Sequence, residues 1–107
     1  MFNMEMAEKL KLLGDRTRLT ILGLLKEKER CVCDLVEILD MSQPSVSQHL
    51  GKLKAQGLVK ESKRAQWVYY SLDIDHLPYI QTILNALPDT QTLITLLKED
   101  YTECACD

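Results

Sequence analysis

The first half of the chain carries apolar residues at helical spacing. A first helix is predicted to begin after Asn3, which is suited to an N-cap, and to end at Gly14. A second helix is predicted from Asp15 to about residue 28, and a short third one over about residues 33–40. The apolar positions that define the three helices are Met6, Leu10 and Leu13, then Leu19, Ile21, Leu22, Leu24 and Leu25, then Leu35, Val36, Ile38 and Leu39.

The next stretch, "SQPSVSQHLGKLKAQG", predicts a longer helix. Ser42 is a good N-cap, and Pro44 falls in the first turn, where its missing N–H costs nothing. Gly57 supplies the stop. The buried face is predicted from three residues at i, i+4 and i+7, namely Val46, Leu50 and Leu53. A short helix, a tight turn and a longer helix make a helix-turn-helix.

After Gly57 the pattern becomes extended. The segments "LVKES" and "WVYYSL" are rich in β-branched and aromatic residues and predict the two strands of a hairpin. The intervening "KRAQ" lacks the Asn-Gly or Asp-Gly pair of a two-residue turn. We therefore expect a longer, mobile tip that carries Lys63, Arg64 and Gln66.

Two more helices are predicted behind the hairpin. Asp73 or Asp75 is expected to cap a fifth helix that has Pro78 in its first turn and ends at Pro88. A last amphipathic helix is predicted over residues 89–100. The apolar positions of these two helices are Leu77, Ile80, Ile83, Leu84 and Leu87, then Leu93, Ile94, Leu96 and Leu97.

The predicted order, ααααββαα, belongs to a mainly α protein with a small β-hairpin. A helix-turn-helix followed by a basic hairpin is a winged helix. With 107 residues the chain is long enough for one domain, so any second globular unit must be another copy of it. We assign residues 1–100 to a single DNA-binding and dimerisation domain and residues 101–107 to a cysteine-containing tail.

Composition narrows the class of protein further. Hydrophobic residues make up 46% and charged residues 27% of the chain, as in globular proteins. No apolar run approaches the roughly 18 residues of a transmembrane helix. The N-terminus has acids where a signal peptide carries basic residues. A cytoplasmic protein with no membrane partner is expected.

Charge is distributed unevenly along the chain. The net charge is −3, yet residues 41–70 hold five basic residues and one acidic residue, whereas residues 71–107 hold one basic and seven acidic residues. A basic region on an acidic protein is what contact with DNA phosphates requires. The simpler alternative is an ordinary solvated face that bears lysines.

The outward side of the predicted recognition helix is rich in short hydrogen-bonding side chains. Glutamine can pair with adenine through two hydrogen bonds, serine can donate or accept, and lysine suits guanine or phosphate. The alternative is a solvated polar face, although such faces usually hold more Glu and Lys. The candidate DNA contacts on this helix are Gln43, Ser45, Ser47, Gln48, His49 and Lys52, and those on the hairpin are Lys60, Lys63, Arg64 and Gln66.

Two groups of side chains near this surface have competing interpretations. His49 is either a base contact or a flank residue stacked on the core. Trp67, Tyr69 and Tyr70 alternate along a strand. They are therefore predicted to be half-buried hairpin residues rather than a platform on which bases stack.

Four cysteines form two Cys-X-Cys pairs, Cys31 with Cys33 and Cys104 with Cys106. In a cytoplasmic chain we expect reduced thiols. Residues at i and i+2 of a regular helix point about 200° apart, so Cys31 and Cys33 can share a ligand only if they straddle a helix start. Exposed N–H groups at such a start favour the thiolate, which soft metals bind.

Four segments, "LGDRTRLTIL", "CVCDL", "SQPSVSQHLGKL" and "WVYYSL", make the chain resemble the ArsR/SmtB family of metal-responsive repressors. The resemblance implies a homodimeric winged helix that binds double-stranded operator DNA when metal-free. It also implies release of the DNA when arsenite or antimonite, or in sister proteins cadmium or lead, binds thiolates at the start of the third helix. Cys31 and Cys33 match those ligands.

One departure from the family's pattern concerns the number of thiolates. The arsenic-responsive pattern has a further cysteine where this chain has Val36, so a third thiolate must come from Cys104 or Cys106. Three thiolates suit As(III) or Sb(III), and four suit Cd(II) or Pb(II). We favour arsenite, because "CVCDL" resembles that branch more. The tail pair has an alternative role as a disordered metal scavenger.

Two rival functions remain open for the thiols. In a redox-sensing repressor, oxidation would link Cys31 or Cys33 to a tail cysteine. In a small thiol oxidoreductase, the pair would follow a strand in a βαβ pattern, which the sequence does not predict. No catalytic base, nucleotide loop or phosphate cradle is recognisable either. We therefore expect no enzymatic activity and no small organic substrate.

Overall fold

The recurring apolar positions fold into six helices, which accompany a small three-stranded sheet. The computed structural model describes residues 4–106, and the side chains of residues 4–99. Asn3, the expected cap of the first helix, lies outside this range. In chain order the elements are α1 (Met4–Leu13), α2 (Arg16–Glu27), β1 (Arg30–Cys31), α3 (Val32–Leu39), α4 (Gln43–Ala55), β2 (Val59–Arg64), β3 (Trp67–Leu72), α5 (Pro78–Asn85) and α6 (Thr90–Cys106).

The predicted cap of α4 is confirmed, and Asp15, where the second helix was predicted to begin, is the N-cap of α2. The Asp15 carboxylate accepts a hydrogen bond from the backbone N–H of Arg18 at 2.9 Å, and the Ser42 hydroxyl accepts one from the N–H of Ser45 at 3.3 Å. Each satisfies an N–H that the first turn of a helix leaves unpaired. Gly57, with φ +76°, follows the end of α4 as predicted.

One hydrophobic core holds the helices and the sheet together. The predicted inner face of α4 is confirmed, because Val46, Leu50 and Leu53 are completely buried. Their packing against α2 and α3 leaves the opposite side of α4 facing outward. Among the side chains of residues 4–99, the other large ones that are fully buried are Ile21, Leu22, Leu24, Leu35, Leu58, Ile80 and Leu84.

The sheet has three antiparallel strands in the order β1-β3-β2. The predicted hairpin of β2 and β3 is confirmed, and the winged helix-turn-helix class with it. Strand β1 was not predicted, because two residues carry no recognisable period. Its residues Arg30 and Cys31 lie opposite Tyr70 and Tyr69 of β3. The start of α3 is therefore attached directly to the wing.

The prediction of a longer hairpin tip is wrong. Strands β2 and β3 pair without a gap as far as Arg64 and Trp67, and only Ala65 and Gln66 connect them. Ala65 adopts the left-handed conformation, with φ 56°, in place of the glycine or asparagine usual in such turns. Of the three residues expected at the tip, Lys63 and Arg64 belong to a strand and Gln66 to the turn.

The two C-terminal helices also differ from the prediction. Leu77, not Asp73 or Asp75, is the N-cap of α5, and it makes no side-chain capping bond. Pro78 is the first residue of that helix and has no N–H to satisfy. Helix α6 extends beyond the predicted residues 89–100, since its backbone remains helical to Cys106.

The outer helices expose apolar side chains. Met6 and Leu10 of α1 are 38% and 41% exposed, although Leu13 of the same predicted stripe is buried. Leu96 of α6 is 49% exposed. Across residues 4–106, none of the helices has both the length and the apolar character needed to cross a membrane.

Candidate thiol site and nucleic-acid interface

The predicted position of the first cysteine pair is confirmed, because Cys31 and Cys33 straddle the start of α3. Cys31 is the last residue of β1 and the N-cap of α3, with extended backbone (φ −80°, ψ 161°). Cys33 lies in the first turn of the helix. This change from strand to helix brings the two side chains to one side of the chain, which a continuous helix would not allow.

The two sulfurs differ in their surroundings. Cys31 is 6% exposed, and its Sγ accepts a hydrogen bond from the backbone N–H of Asp34 at 3.3 Å. Cys33 is exposed. The structure joins the two Sγ atoms as a disulfide, so the expectation of reduced thiols is wrong for this state. Their Cα atoms are 5.3 Å apart, within the range that a disulfide bridges.

The site contains donors that suit a soft metal or metalloid once the disulfide is reduced. The Sγ atoms of Cys31 and Cys33 and a carboxylate oxygen of Asp34 all lie within 4.8 Å of one another. Sequence reasoning missed Asp34 as a donor, although it directly follows the second cysteine. Cys104 and Cys106 lie in the last turns of α6, and their side chains are outside the described part of the chain.

Short polar side chains cover the outward side of α4. Gln43 and Gln48 are exposed, and the Gln43 side-chain amide donates to the Ser47 hydroxyl at 3.0 Å. Ser45 is half-buried and receives a hydrogen bond from the Ser42 hydroxyl, also at 3.0 Å. Lys52 is exposed one turn before the end of the helix. Four of the predicted DNA contacts are thus uncharged groups that can form hydrogen bonds with base edges.

His49 lies against the start of α2 rather than fully in solvent. Its Nδ1 is 3.4 Å from Nη1 of Arg18 and 4.0 Å from a carboxylate oxygen of Asp15. Partial burial lowers the pKa of His49, and Arg18 and Lys52 add to this, whereas Asp15 opposes it. Of the two interpretations of His49, this geometry favours the packed flank residue.

The wing carries the remaining predicted contacts. Lys60, Lys63 and Gln66 are exposed. Arg64 is engaged already: its Nη2 is 2.7 Å from Oε2 of Glu29, and its guanidinium carbon is 4.7 Å from the centre of the Tyr69 ring. The hydrogen bond to Glu29 raises the pKa of Arg64. Sequence reasoning missed Glu29, because nothing local connects it with a residue on the hairpin.

The three aromatic residues of the wing have unequal exposure. Tyr70 is 8% exposed and Tyr69 is half-buried, but Trp67 is 47% exposed, so the half-buried prediction is wrong for Trp67. Trp67 pairs with Arg64 at the end of the hairpin, on the sheet face away from the core. Tyr70 faces inward and donates to Glu61 at 2.9 Å. Burial, aided by this bond, raises the pKa of Tyr70 to about 12.

A continuous path joins the thiol pair to the wing. Cys31 lies opposite Tyr69 in the sheet, and Tyr69 lies under the Arg64 guanidinium. Glu29, two residues before Cys31, holds the same guanidinium. Beyond the thiol pair, α3 leads through the turn at Asp40 (φ 55°) into α4. The cysteines are therefore connected to both elements that are predicted to contact DNA.

Residues 15–61 match the family model described as "Bacterial regulatory protein, arsR family". The matched segment begins at the N-cap of α2 and ends in strand β2. It includes the thiol pair and the whole of α4.

Curated relatives include proteins of arsenical and cadmium resistance. The "Arsenical resistance operon repressor" of Escherichia coli K12 is 49% identical over 64% of this chain and 58% of its own length. The protein of the same name from Staphylococcus xylosus is 39% identical over 78% and 80%. A "Cadmium resistance transcriptional regulatory protein CadC homolog" from Staphylococcus aureus is 43% identical over 69% and 62%. The chain thus spans little more than half of the first of these relatives.

Solved structures of regulators share the fold. Reduced HlyU from Vibrio cholerae superposes with a TM-score of 0.68, at 35% identity over 75% of this chain and 84% of that one. A homodimeric winged helix-turn-helix DNA-binding domain from Mycobacterium bovis, described as a possible ArsR-family regulator, also has a TM-score of 0.68. It is 27% identical over 76% and 75% of the two chains.

Proposed function

The chain belongs to the arsR family of bacterial regulatory proteins, and from this we propose that it is a transcriptional repressor induced by arsenite or antimonite. In the metal-free, reduced state it binds operator DNA as a dimer. Capture of As(III) or Sb(III) by cysteine thiolates lowers its affinity for that DNA. The family is one of regulators, so no catalytic step is assigned to the thiols.

The observation that carries this proposal is the position of the thiol pair. Cys31 and Cys33 lie at the start of the helix that precedes α4, and Cys31 also ends a strand of the wing sheet. Two thiolates bind a soft trivalent centre strongly and leave one coordination position. Cys104 or Cys106, from the same chain or the partner, supplies the third sulfur. The names of the relatives from Escherichia coli and Staphylococcus xylosus support arsenic as the inducer.

The proposed DNA surface combines α4 and the wing. Gln43 and Gln48 read base edges in the major groove, with Ser45 and Ser47 as further hydrogen-bonding groups. Lys52 contacts a guanine or a phosphate. The wing residues supply affinity that does not depend on sequence and falls as salt rises. These wing residues are Lys60, Lys63, Arg64 and Gln66.

A second copy of the chain is proposed to cover the apolar side chains of the outer helices. Met6 and Leu10 of α1 and Leu96 of α6 are exposed, and a cavity of about 200 Å³ lies between α2 and α6. Burial of these side chains in a symmetric interface would bring two α4 helices to successive major grooves, about 34 Å apart. The homodimeric domain from Mycobacterium bovis supports this arrangement.

Induction is proposed to act through the two elements that the thiol pair joins, strand β1, which pairs with the wing, and helix α3, which leads into α4. Inducer binding fixes Cys31 and Cys33 relative to the end of α6. This shifts β1 and the start of α3, and with them the wing strand opposite Cys31 and the turn into α4. A coupling free energy of about 1–3 kcal/mol, or about 5- to 150-fold in DNA affinity, is the usual range for such linkage.

A DNA-binding titration tests the proposal. Reduced protein is added to a fluorescent duplex from the region upstream of its own reading frame, with and without sodium arsenite. Arsenite should weaken the binding of wild-type protein about tenfold or more. It should have no effect on Cys31→Ser or Cys33→Ser, which should still bind the duplex. Equal responses of wild type and both variants would contradict the role of the thiol pair.

Two alternatives have support from particular observations. A Cd(II)- or Pb(II)-responsive repressor would use all four cysteines as an S4 site, and the Staphylococcus aureus relative favours it. A thiol-redox repressor is favoured by the Cys31–Cys33 disulfide, although the pairing differs from the expected link to the tail. The same titration separates the two alternatives. In the first case cadmium would weaken DNA binding more than arsenite does, and in the second case peroxide would release DNA without any metal.

A further inference from the structure

One carboxylate joins the recognition helix to both strands of the wing. Glu61 lies on β2, and its Oε1 accepts a hydrogen bond at 3.0 Å from Nζ of Lys54, in the last turn of α4. Its Oε2 accepts a hydrogen bond at 2.9 Å from the hydroxyl of Tyr70 on β3. We call these three side chains the Glu61 network. The two oxygens of one carboxylate thus bind two different elements.

An acidic residue is unexpected at this place in the sequence. Residues 41–70 form the basic region of the chain, and Glu61 is the one acidic residue there beside five basic ones. A carboxylate on a DNA-binding surface repels phosphate and lowers the affinity that basic residues provide. Any favourable role of Glu61 in DNA binding therefore has to come from its contacts.

The ion pair of the network contributes little to folding stability. The side chains of Lys54 and Glu61 are 50% and 25% exposed, and ion pairs between such groups add little to the free energy of unfolding. Tyr70, in contrast, is buried in the core and lies opposite Glu61 in the sheet register. The carboxylate is therefore oriented from the core side, and it in turn orients the flexible side chain of Lys54.

The network spans the joint between α4 and the wing. Residues 56–58 connect the two elements, and Gly57 among them has φ +76°. The N–H of Gly57 donates to the carbonyl of Lys54 at 2.9 Å, so the main chain turns back on the last turn of the helix. The contact between Lys54 and Glu61 adds a second connection at the third residue of β2. Two connections restrict rotation about the joint more than one does.

We propose that Glu61 is a positioning residue that sets the orientation of the wing relative to α4, so that both elements reach one stretch of DNA together. This inference rests on the proposed function, in which α4 and the wing both contact operator DNA. Without the network, the joint at residues 56–58 samples further orientations, and only a fraction of the molecules presents both elements correctly. The apparent affinity for DNA is reduced by that fraction.

The first test compares Glu61→Gln with Glu37→Gln, which removes the same charge from an exposed position on α3. Reduced full-length protein is titrated against the fluorescent upstream duplex. If Glu61 were only a solvated acid, its replacement would raise the affinity for DNA. The proposal predicts the opposite sign, because glutamine offers one accepting oxygen in place of two. Glu61→Gln should bind about three- to fivefold more weakly than wild type, and Glu37→Gln as tightly or slightly more tightly.

A charge reversal tests the ion pair without a change in net charge. Lys54→Glu and Glu61→Lys should each weaken DNA binding about fivefold, and the double variant should return to within about twofold of wild type. Urea unfolding should give nearly equal midpoints for all four proteins, because the pair is exposed. If the DNA affinities follow the urea midpoints, the network acts on stability alone and the inference is overturned.

The remaining outcomes separate this inference from the proposed function. Tighter DNA binding by Glu61→Gln than by wild type, or purely additive effects of the two reversals, would overturn the inference and leave operator binding intact. If wild-type protein binds neither the upstream duplex nor random DNA, the proposed function fails and the positioning role fails with it. The predicted loss and rescue in a protein whose DNA binding ignores arsenite would support the inference and contradict the proposed inducer.

Discussion

The recognition helix α4 and the wing differ in how their polar side chains are held. In the first half of α4 the outward groups are uncharged, and the side-chain amide of the exposed Gln43 donates to its neighbour Ser47. On the wing Arg64 is bound by Glu29 and lies over Tyr69. The helix is anchored by its fully buried inner face, whereas the wing is anchored by its core residues Val59 and Tyr70 and also by pairing with β1, which ends at Cys31.

This difference suggests a division of labour between the two regions. Groups such as Gln43 can exchange one hydrogen bond for another at a base edge with little rearrangement, which suits sequence recognition. Arg64 has to break its ion pair with Glu29 before it can bind a phosphate. Glu29 is two residues before Cys31 of the thiol pair. We therefore expect the proposed DNA contact of Arg64 on the wing to depend more on the state of the cysteines than the proposed contacts of α4 do.

The largest expected effect concerns how the two regions are anchored. Leu50→Ala removes a completely buried side chain from α4 and should lower the free energy of unfolding by about 2–5 kcal/mol. Lys63→Ala on the wing should change it by about 0.5 kcal/mol or less, because Lys63 is exposed. Urea unfolding at one protein concentration measures both. A similar loss for the two variants would refute the difference in anchoring.

The next effect distinguishes base reading from phosphate contact. Gln43→Ala should weaken binding to the operator by about 1–3 kcal/mol and leave binding to random DNA unchanged. Lys63→Ala should weaken both and reduce the slope of log affinity against log salt by about 1. Anisotropy titrations over a series of salt concentrations provide both numbers. If Gln43→Ala lowers affinity for every duplex alike, α4 does not read sequence through that residue.

A smaller effect follows from the titration of His49 on the flank of α4. Burial lowers its pKa from the ordinary 6.5, so the unfolded chain binds more protons in the interval between the two values. The contribution of neutral His49 to the free energy of unfolding is fully present above pH 6.5. It is lost as the pH falls from 6.5 to the pKa of His49 in the folded state. Urea unfolding between about pH 8 and pH 5 should show this loss, and His49→Gln should reduce it. An unchanged slope in the variant would assign the loss to other groups.

The smallest expected effect tests the ion pair between Glu29 and Arg64 of the wing. Glu29→Gln removes the charge that binds Arg64 and should raise DNA affinity slightly, with a steeper dependence on salt, because Arg64 becomes available to phosphate. It should also reduce the response to arsenite. Glu8→Gln, an exposed acid on α1, controls for the change in net charge. Equal effects of the two substitutions would show that the contact with Arg64 has no special role.

The recognition helix could be predicted from the sequence because its signals are local. The start of the helix is signalled by Ser42 and Pro44, and its buried face by the spacing of Val46, Leu50 and Leu53. Each of these signals acts within a few residues along the chain. The helical start between Cys31 and Cys33 followed from geometry in the same way. The donors of the thiol site were therefore predictable apart from Asp34, and their pairing as a disulfide was not.

The connection between the thiol site and the wing could not be predicted, because it depends on long-range pairing. Strand β1 exists only through its bonds to β3, and Glu29 meets Arg64 across 35 positions of the chain. The tight turn required Ala65 to take a conformation that its residue type does not favour. The side chain of Trp67 faces away from the core because of the strand register that this turn sets.

The most direct test of the central claim, that the thiol pair and the DNA surface are energetically coupled, is reciprocity. The affinity of arsenite for the reduced protein is measured by titration calorimetry with and without saturating operator duplex. The factor by which DNA weakens arsenite binding should equal the factor by which arsenite weakens DNA binding, about tenfold. Identical arsenite affinities in the two titrations would contradict the coupling.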